Sequence, residues 1–143
     1  MQARDIMTSD CECTRPDASL QNAAQKMRDL DVGPLPVCGE NNRLVGMITD
    51  RDIVVRALAE GMDPQSTKVR DIMTPGVVPC FEDQDVEEVA RLMEEHQIRR
   101  LVVLNRNKRL VGIVSLGDLA VETKDEQLAG EALERISEPV HSA

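Results

Sequence analysis

The pentapeptide Arg4-Asp5-Ile6-Met7-Thr8 returns 66 residues later as Arg70-Asp71-Ile72-Met73-Thr74. At the same offset Arg43-Leu44-Val45-Gly46 returns as Arg109-Leu110-Val111-Gly112, and Asp52 as Asp118. Aligned without a gap, residues 4–55 match their counterparts at 17 of 52 positions. A tandem duplication of this kind restricts the chain to folds built from two like units.

Each repeat reads as strand, helix, strand, strand, helix, an α/β pattern. The short segments Cys11–Arg15 and Val77–Phe81 suit strands. Apolar residues then recur at spacings of three and four: Leu20, Ala23, Ala24 and Met27 in one repeat, Val86, Val89, Ala90 and Met93 in the other. Such spacing lines one helix face. Asp17 and Asp83 precede these helices, where a carboxylate favours a helix start. The runs Leu35–Cys38 with Leu44–Thr49, and Leu101–Leu104 with Leu110–Ser115, read as hairpins turning at Gly39–Asn42 and Asn105–Lys108. A second helix begins near Asp50-Arg51-Asp52 and Gly117-Asp118. The expected boundaries are 1–60 for the first unit, 61–68 for a linker, 69–122 for the second unit and 123–143 for an acidic tail. Within that tail Lys124–Ile136 suits a helix and Ser137–Ala143 a frayed end.

Composition narrows the function. The 143 residues carry a net charge of −9, one Phe and no Tyr or Trp. The core is therefore aliphatic, and the aromatic platforms and positive field that gather nucleic acids are missing. No apolar run reaches the roughly 18–20 residues of a membrane helix, and Met1–Asp5 does not read as a signal peptide. A cytoplasmic location is the expectation. Cys11, Cys13, Cys38 and Cys80 lack the spacing of a structural zinc site, and His96 and His141 are distant in sequence, so no obligatory metal is expected. No catalytic signature or Gly-rich phosphate loop is present, so the chain does not read as an enzyme.

Taken together, the Asp-Ile-Met-Thr boxes, His96-Gln97-Ile98-Arg99-Arg100-Leu101-Val102-Val103, Gly112-Ile113-Val114-Ser115-Leu116-Gly117-Asp118 and Gly46-Met47-Ile48-Thr49-Asp50-Arg51-Asp52 resemble the tandem cystathionine-β-synthase (CBS) domain pair, or Bateman module. The resemblance covers about residues 3–122. It implies two β-α-β-β-α units packed through their sheets about a pseudo-two-fold axis, and clefts that hold adenosine-containing ligands such as AMP, ADP or ATP. It also implies a regulatory module without catalysis, commonly a homodimer, with an unidentified protein as a further partner.

The resemblance makes Ser115 with Asp118, and Thr49 with Asp52, candidate ribose contacts. A carboxylate offers acceptors to both hydroxyls of a diol. The same residues equally suit an ordinary helix start. Arg99 and Arg100, just before the strand opened by Leu101, present guanidinium forks to phosphate oxygens; as a plain pair they are solvated charges. The first repeat has Gly33-Pro34 there, with Arg51 or Arg56 as substitutes, so the sites are not equivalent. By resemblance each cleft borrows from the other unit's box: Thr8 and Glu12 toward Asp118, Thr74 and Val78 toward Asp52. His96 reads as structural.

Two alternatives stand beside ligand sensing. One is a ligand-free self-association or protein-interaction module; for the homodimer itself, Ile53, Val54 and Leu58 or Leu116, Leu119 and Ala120 are aliphatic positions beyond what one small core needs. The other is a cysteine-based redox or metal responder. For the redox form, Cys13 and Cys38 lie on strands that a β-α-β crossover sets side by side, within reach of a reversible disulfide. Two separate core thiols are the simpler reading.

Overall fold

The computed structural model describes residues 1–9 and 11–139. Residues 140–143, with His141 and most of the expected frayed end, lie outside them. In chain order the elements are α1 (Ala3–Ile6), α2 (Leu20–Leu30), β1 (Pro34–Cys38), β2 (Leu44–Thr49) and α3 (Asp50–Asp52), which runs into a π-helical stretch, Ile53–Leu58. Then follow α4 (Val69–Ile72), β3 (Pro79–Phe81), α5 (Val86–His96), β4 (Arg100–Leu104), β5 (Leu110–Ser115), α6 (Leu116–Glu122) and α7 (Glu126–Ser137). The architecture is mixed α/β with two small sheets. Residues group into a continuous unit, Glu12–Val77, and a discontinuous one in which Met1–Cys11 joins the chain from Val78 onward.

In the discontinuous unit, β3 pairs in parallel with β4, and β4 antiparallel with β5. This is the strand-helix-strand-strand-helix order expected. Helix α5 buries Val86, Val89, Ala90 and Met93, the stripe its spacing marks. They join Ile6, Leu101, Val103, Val114 and Leu119 in an aliphatic core. Helix α7 packs on α5 and α6 and closes that core with Ala132 and Ile136.

The continuous unit carries the same plan with less. Its β1–β2 hairpin is antiparallel, but the expected first strand is reduced to one parallel bridge between Thr14 and Val37. Leu20, Ala23 and Met27 are buried, whereas Ala24 is exposed although its counterpart Ala90 is not. The difference follows from α7, which packs on α5 and has no counterpart in this unit. The cap of α2 is Ser19, whose hydroxyl accepts the Asn22 N–H, not Asp17 two residues earlier. In the other repeat Asp85 takes the cap position, and Asp83 is engaged by both nitrogens of Arg106 at 2.8 and 3.0 Å. That guanidinium, stacked 4.4 Å from the Phe81 ring centroid, holds the Asp83 carboxyl below its ordinary range.

The two repeats exchange their boxes. Helix α1 and Thr8 of the first box pack on the sheet of the second repeat, where Thr8 and Ile113 exchange backbone hydrogen bonds of 2.8 and 3.0 Å. Helix α4 and Thr74 of the second box pack on the sheet of the first, where Thr74 and Met47 do the same. Gly112 and Gly46 make this possible. A Cβ on Gly112 would lie 2.8 Å from the Thr8 carbonyl oxygen and 2.6 Å from Met7 Sδ; one on Gly46 would lie 2.8 Å from the Thr74 carbonyl oxygen. The Leu-Val-Gly and Asp-Ile-Met-Thr repeats are thus two sides of one contact.

Thr14 is fully buried and its Oγ1 has no hydrogen-bond partner among the described residues. An unmet buried hydroxyl costs about 1–3 kcal/mol. Its counterpart at the 66-residue offset is Cys80, which faces Val103 in the register Thr14 has with Val37. Thr14→Val is therefore expected to stabilise the protein by about 1 kcal/mol, read as a higher urea midpoint. An unchanged or lower midpoint would show that the hydroxyl is satisfied.

Candidate functional site

At the junction of β5 and α6, Ser115 and Asp118 form a reciprocal cap. The Asp118 N–H donates to Ser115 Oγ at 3.1 Å, and the Ser115 N–H donates to Asp118 Oδ2 at 2.8 Å. Thr49 and Asp52 repeat the arrangement, both bonds at 3.0 Å. The Ser/Thr-x-x-Asp spacing therefore does what any capping box does. One carboxylate oxygen in each is tied to the backbone. The other, Oδ1, accepts nothing from the described residues, and a carboxylate offers about four acceptor sites in all.

Arg99 and Arg100 stand across from this junction. Arg100 is opposite Ser115 in the β4–β5 register, and the Arg99 carbonyl accepts the Leu116 N–H at 2.8 Å. Both side chains are exposed, and neither guanidinium has a carboxylate or carbonyl partner among the described residues. Together with Ser115 they line a cleft of about 540 Å³, closed on one side by α7. In a chain of net charge −9 these two guanidinium groups concentrate positive charge at one place.

The cleft does not gather every expected residue. Asp118 is half-buried beside it but not in its lining. Leu101 is buried in the core, because strand alternation turns its side chain inward. Thr8 is exposed and held to this sheet by its pairing with Ile113, and Val78 packs against the core of the same unit. Glu12 and Thr74 are exposed in the continuous unit. His96 is exposed at the end of α5.

The first repeat lacks this chemistry. A Cβ on Gly33 would sit 3.1 Å from an oxygen of Asp50, the counterpart of Leu116, so a carboxylate occupies the neighbourhood in which the second repeat has guanidinium groups. Arg56, one possible substitute, donates to the Ile72 carbonyl at 2.6 Å, and Arg51 is an exposed neighbour of Asp50. A larger groove of about 930 Å³ runs along α5 and α7, but Glu94, Glu95, Glu131, Glu134 and Glu138 line it against only Arg91 and Arg135. Its charge repels anions.

Thr14 opposite Val37 puts Cys13 opposite Pro36, two positions short of Cys38, so the pair is not directly faced as a disulfide would favour. The Cys13 thiol donates to Asn42 Oδ1 at 3.6 Å. Burial pushes the Cys80 thiol up to about 12, far from the thiolate that redox chemistry needs. Among the described residues no three His, Cys, Asp or Glu side chains cluster to hold a metal ion.

The CBS-domain family model matches residues 3–58 and again 69–125. The chain belongs to the CBS-domain family. Hypoxic response protein 1 of Mycobacterium tuberculosis (strain ATCC 25618 / H37Rv) is 42% identical over 118 residues, 82% of each chain. A crystal structure of hypoxic response protein I with two coordinated zinc ions aligns with a TM-score of 0.77 at 42% identity, over 84% of this chain and 97% of that one. The CBS pair of protein MJ0100, in complex with 5′-methylthioadenosine and S-adenosyl-L-methionine, aligns at 0.75 with 28% identity, over 88% and 98%. A hexameric CBS-CP12 protein from bloom-forming cyanobacteria aligns at 0.73 with 32% identity, over 85% and 67%. No helix of the described residues is long and apolar enough to cross a membrane.

Proposed function

We propose that this CBS pair is a non-catalytic sensor of an adenosine nucleotide, whose phosphate lies between Arg99 and Arg100 and whose ribose is read by Asp118. The observation that carries the reading is the pair of unpartnered guanidinium groups in a cleft beside a capped carboxylate with an open oxygen. The adenosine ligands of the MJ0100 CBS pair support the adenosine part. The guanidinium pair favours AMP, ADP or ATP over S-adenosylmethionine, which has no phosphate and carries a cationic sulfonium. The first repeat, with Gly33-Pro34 in place of the arginines and Asp50 in place of Leu116, is the weaker site. Zinc, held by the relative's crystal structure, is tested beside the nucleotides.

A thermal-shift panel tests it. Ligand at 100 times its Kd adds about 2.7 kcal/mol to the folded state, so AMP, ADP or ATP raises the melting temperature and S-adenosylmethionine and zinc raise it less. A hydrogen bond to a charged group is worth about 1.5–3 kcal/mol. The 2′-deoxy nucleotide is therefore expected to bind about tenfold more weakly, and Asp118→Ala to cost more affinity than Asp52→Ala. Equal curves for ribo and deoxy forms would remove the ribose assignment.

We also infer that the protein self-associates through the continuous unit, where Val54, Val55, Leu58 and Met62 are 42–55% exposed on and just after the π-helical stretch. The hexameric relative supports assembly with copies of itself. Light scattering is expected to give at least twice 15.9 kDa, and Leu58→Asp to give the monomer; a wild-type monomer at micromolar concentration would end the inference.

A further inference from the structure

Gly130 stands in the interior of α7, the fifth of its 12 residues. Glycine there lowers helix stability relative to alanine. Nothing in the fold asks for it. Its backbone does not take the left-handed conformation, and a Cβ added to it would meet no atom within 4 Å. What the absent side chain leaves is space, and that space belongs to the cleft of Arg99, Arg100 and Ser115, whose α7 wall is Ala129, Gly130 and Leu133.

The charge on α7 is sorted in the same sense. Glu131, Glu134 and Glu138 line the groove along α5, away from the arginines. The face presented to Arg99 and Arg100 (Ala129, Gly130 and Leu133) is uncharged. A helix this acidic beside an anion site would otherwise oppose the ligand by like charge.

We propose that α7, which begins at Glu126 just beyond the second matched CBS segment, is the specificity wall of the phosphate cleft, and that Gly130 is the residue that sets how bulky a phosphorylated ligand it admits. This rests on the nucleotide reading of the cleft. The longer phosphate chain needs the more room, so narrowing the wall discriminates against ATP more than against AMP.

The test compares wild type, Gly130→Ala, Gly130→Leu and the opposite-face control Glu131→Ala, each titrated calorimetrically with AMP and ATP. Gly130→Ala is expected to raise the ligand-free melting temperature by a few degrees, which shows the fold intact. Gly130→Leu is expected to weaken ATP at least tenfold and AMP several-fold, with Glu131→Ala binding as wild type does. Wild-type affinity in a folded Gly130→Leu protein would overturn the role of α7 while leaving the nucleotide reading standing. If wild type binds neither nucleotide, it is the nucleotide reading that fails. An equal loss in Glu131→Ala would show a general disturbance of α7 and overturn the proposal as well.

Discussion

Arg99→Ala combined with Arg100→Ala is expected to weaken AMP binding about tenfold to a hundredfold while leaving the melting temperature of the ligand-free protein within about 1 °C of wild type, since exposed surface substitutions are near neutral. Each guanidinium–phosphate hydrogen bond is worth about 1.5–3 kcal/mol in a protected site. Both side chains here are exposed, and screening by solvent and salt lowers that figure. The residual interaction is still large because neither arginine gives up an existing partner to bind. Wild-type affinity should fall as salt is raised, and the double variant should lose most of that dependence. A variant that binds as tightly as wild type, with the same salt slope, would place the phosphate elsewhere.

Gly112→Ala is expected to destabilise the protein by about 1–3 kcal/mol, the usual cost of forcing a methyl into a filled space. Two groups stand in the way. Met7 Sδ, at 2.6 Å from the new Cβ, belongs to a flexible side chain and can move; the Thr8 carbonyl, at 2.8 Å, is held by the bridge to Ile113. Adding Met7→Ala should therefore restore part of the loss and not all of it. Gly46→Ala acts in the same direction through the Thr74 carbonyl. Urea unfolding measures each. A Gly112→Ala protein as stable as wild type would mean that the box does not lie against the sheet as described.

The duplication, the stripe of α5, both hairpins and both helix-start Ser/Thr-x-x-Asp boxes were legible because each is set by residues within one short segment. The box exchange was harder. Gly46 and Gly112 signal it, since a glycine inside a strand pattern often marks close approach of another backbone, yet nothing in their spacing says which backbone arrives. Asp17 and Asp83 mark helix starts only to within two residues, and Ser19 takes the cap while Arg106 claims Asp83.

Other features depend on tertiary company. Ala24 and Ala90 hold matching places in the two repeats, and the one that is buried is the one whose helix has α7 packed against it. The counterpart helices after Thr49 and Ser115 differ too: Ile53–Leu58 winds as a π-helix and α6 as an α-helix. At the site, Arg99, Arg100 and Ser115 meet as their motifs suggest, whereas Leu101 belongs to the core. The use of Arg56 on the Ile72 carbonyl could not be read from the chain, because it joins residues 16 apart. Nor could the place of α7 against the cleft, since an amphipathic pattern names a face and not its partner.

The most direct test of the account is a calorimetric comparison of AMP with adenosine on the wild-type protein. The two differ only in the phosphate that Arg99 and Arg100 are held to receive. AMP is predicted to bind at least tenfold more tightly, an advantage of about 1.4 kcal/mol, and the gap should narrow as salt rises. Equal affinity for the two, or no binding of either, would contradict it.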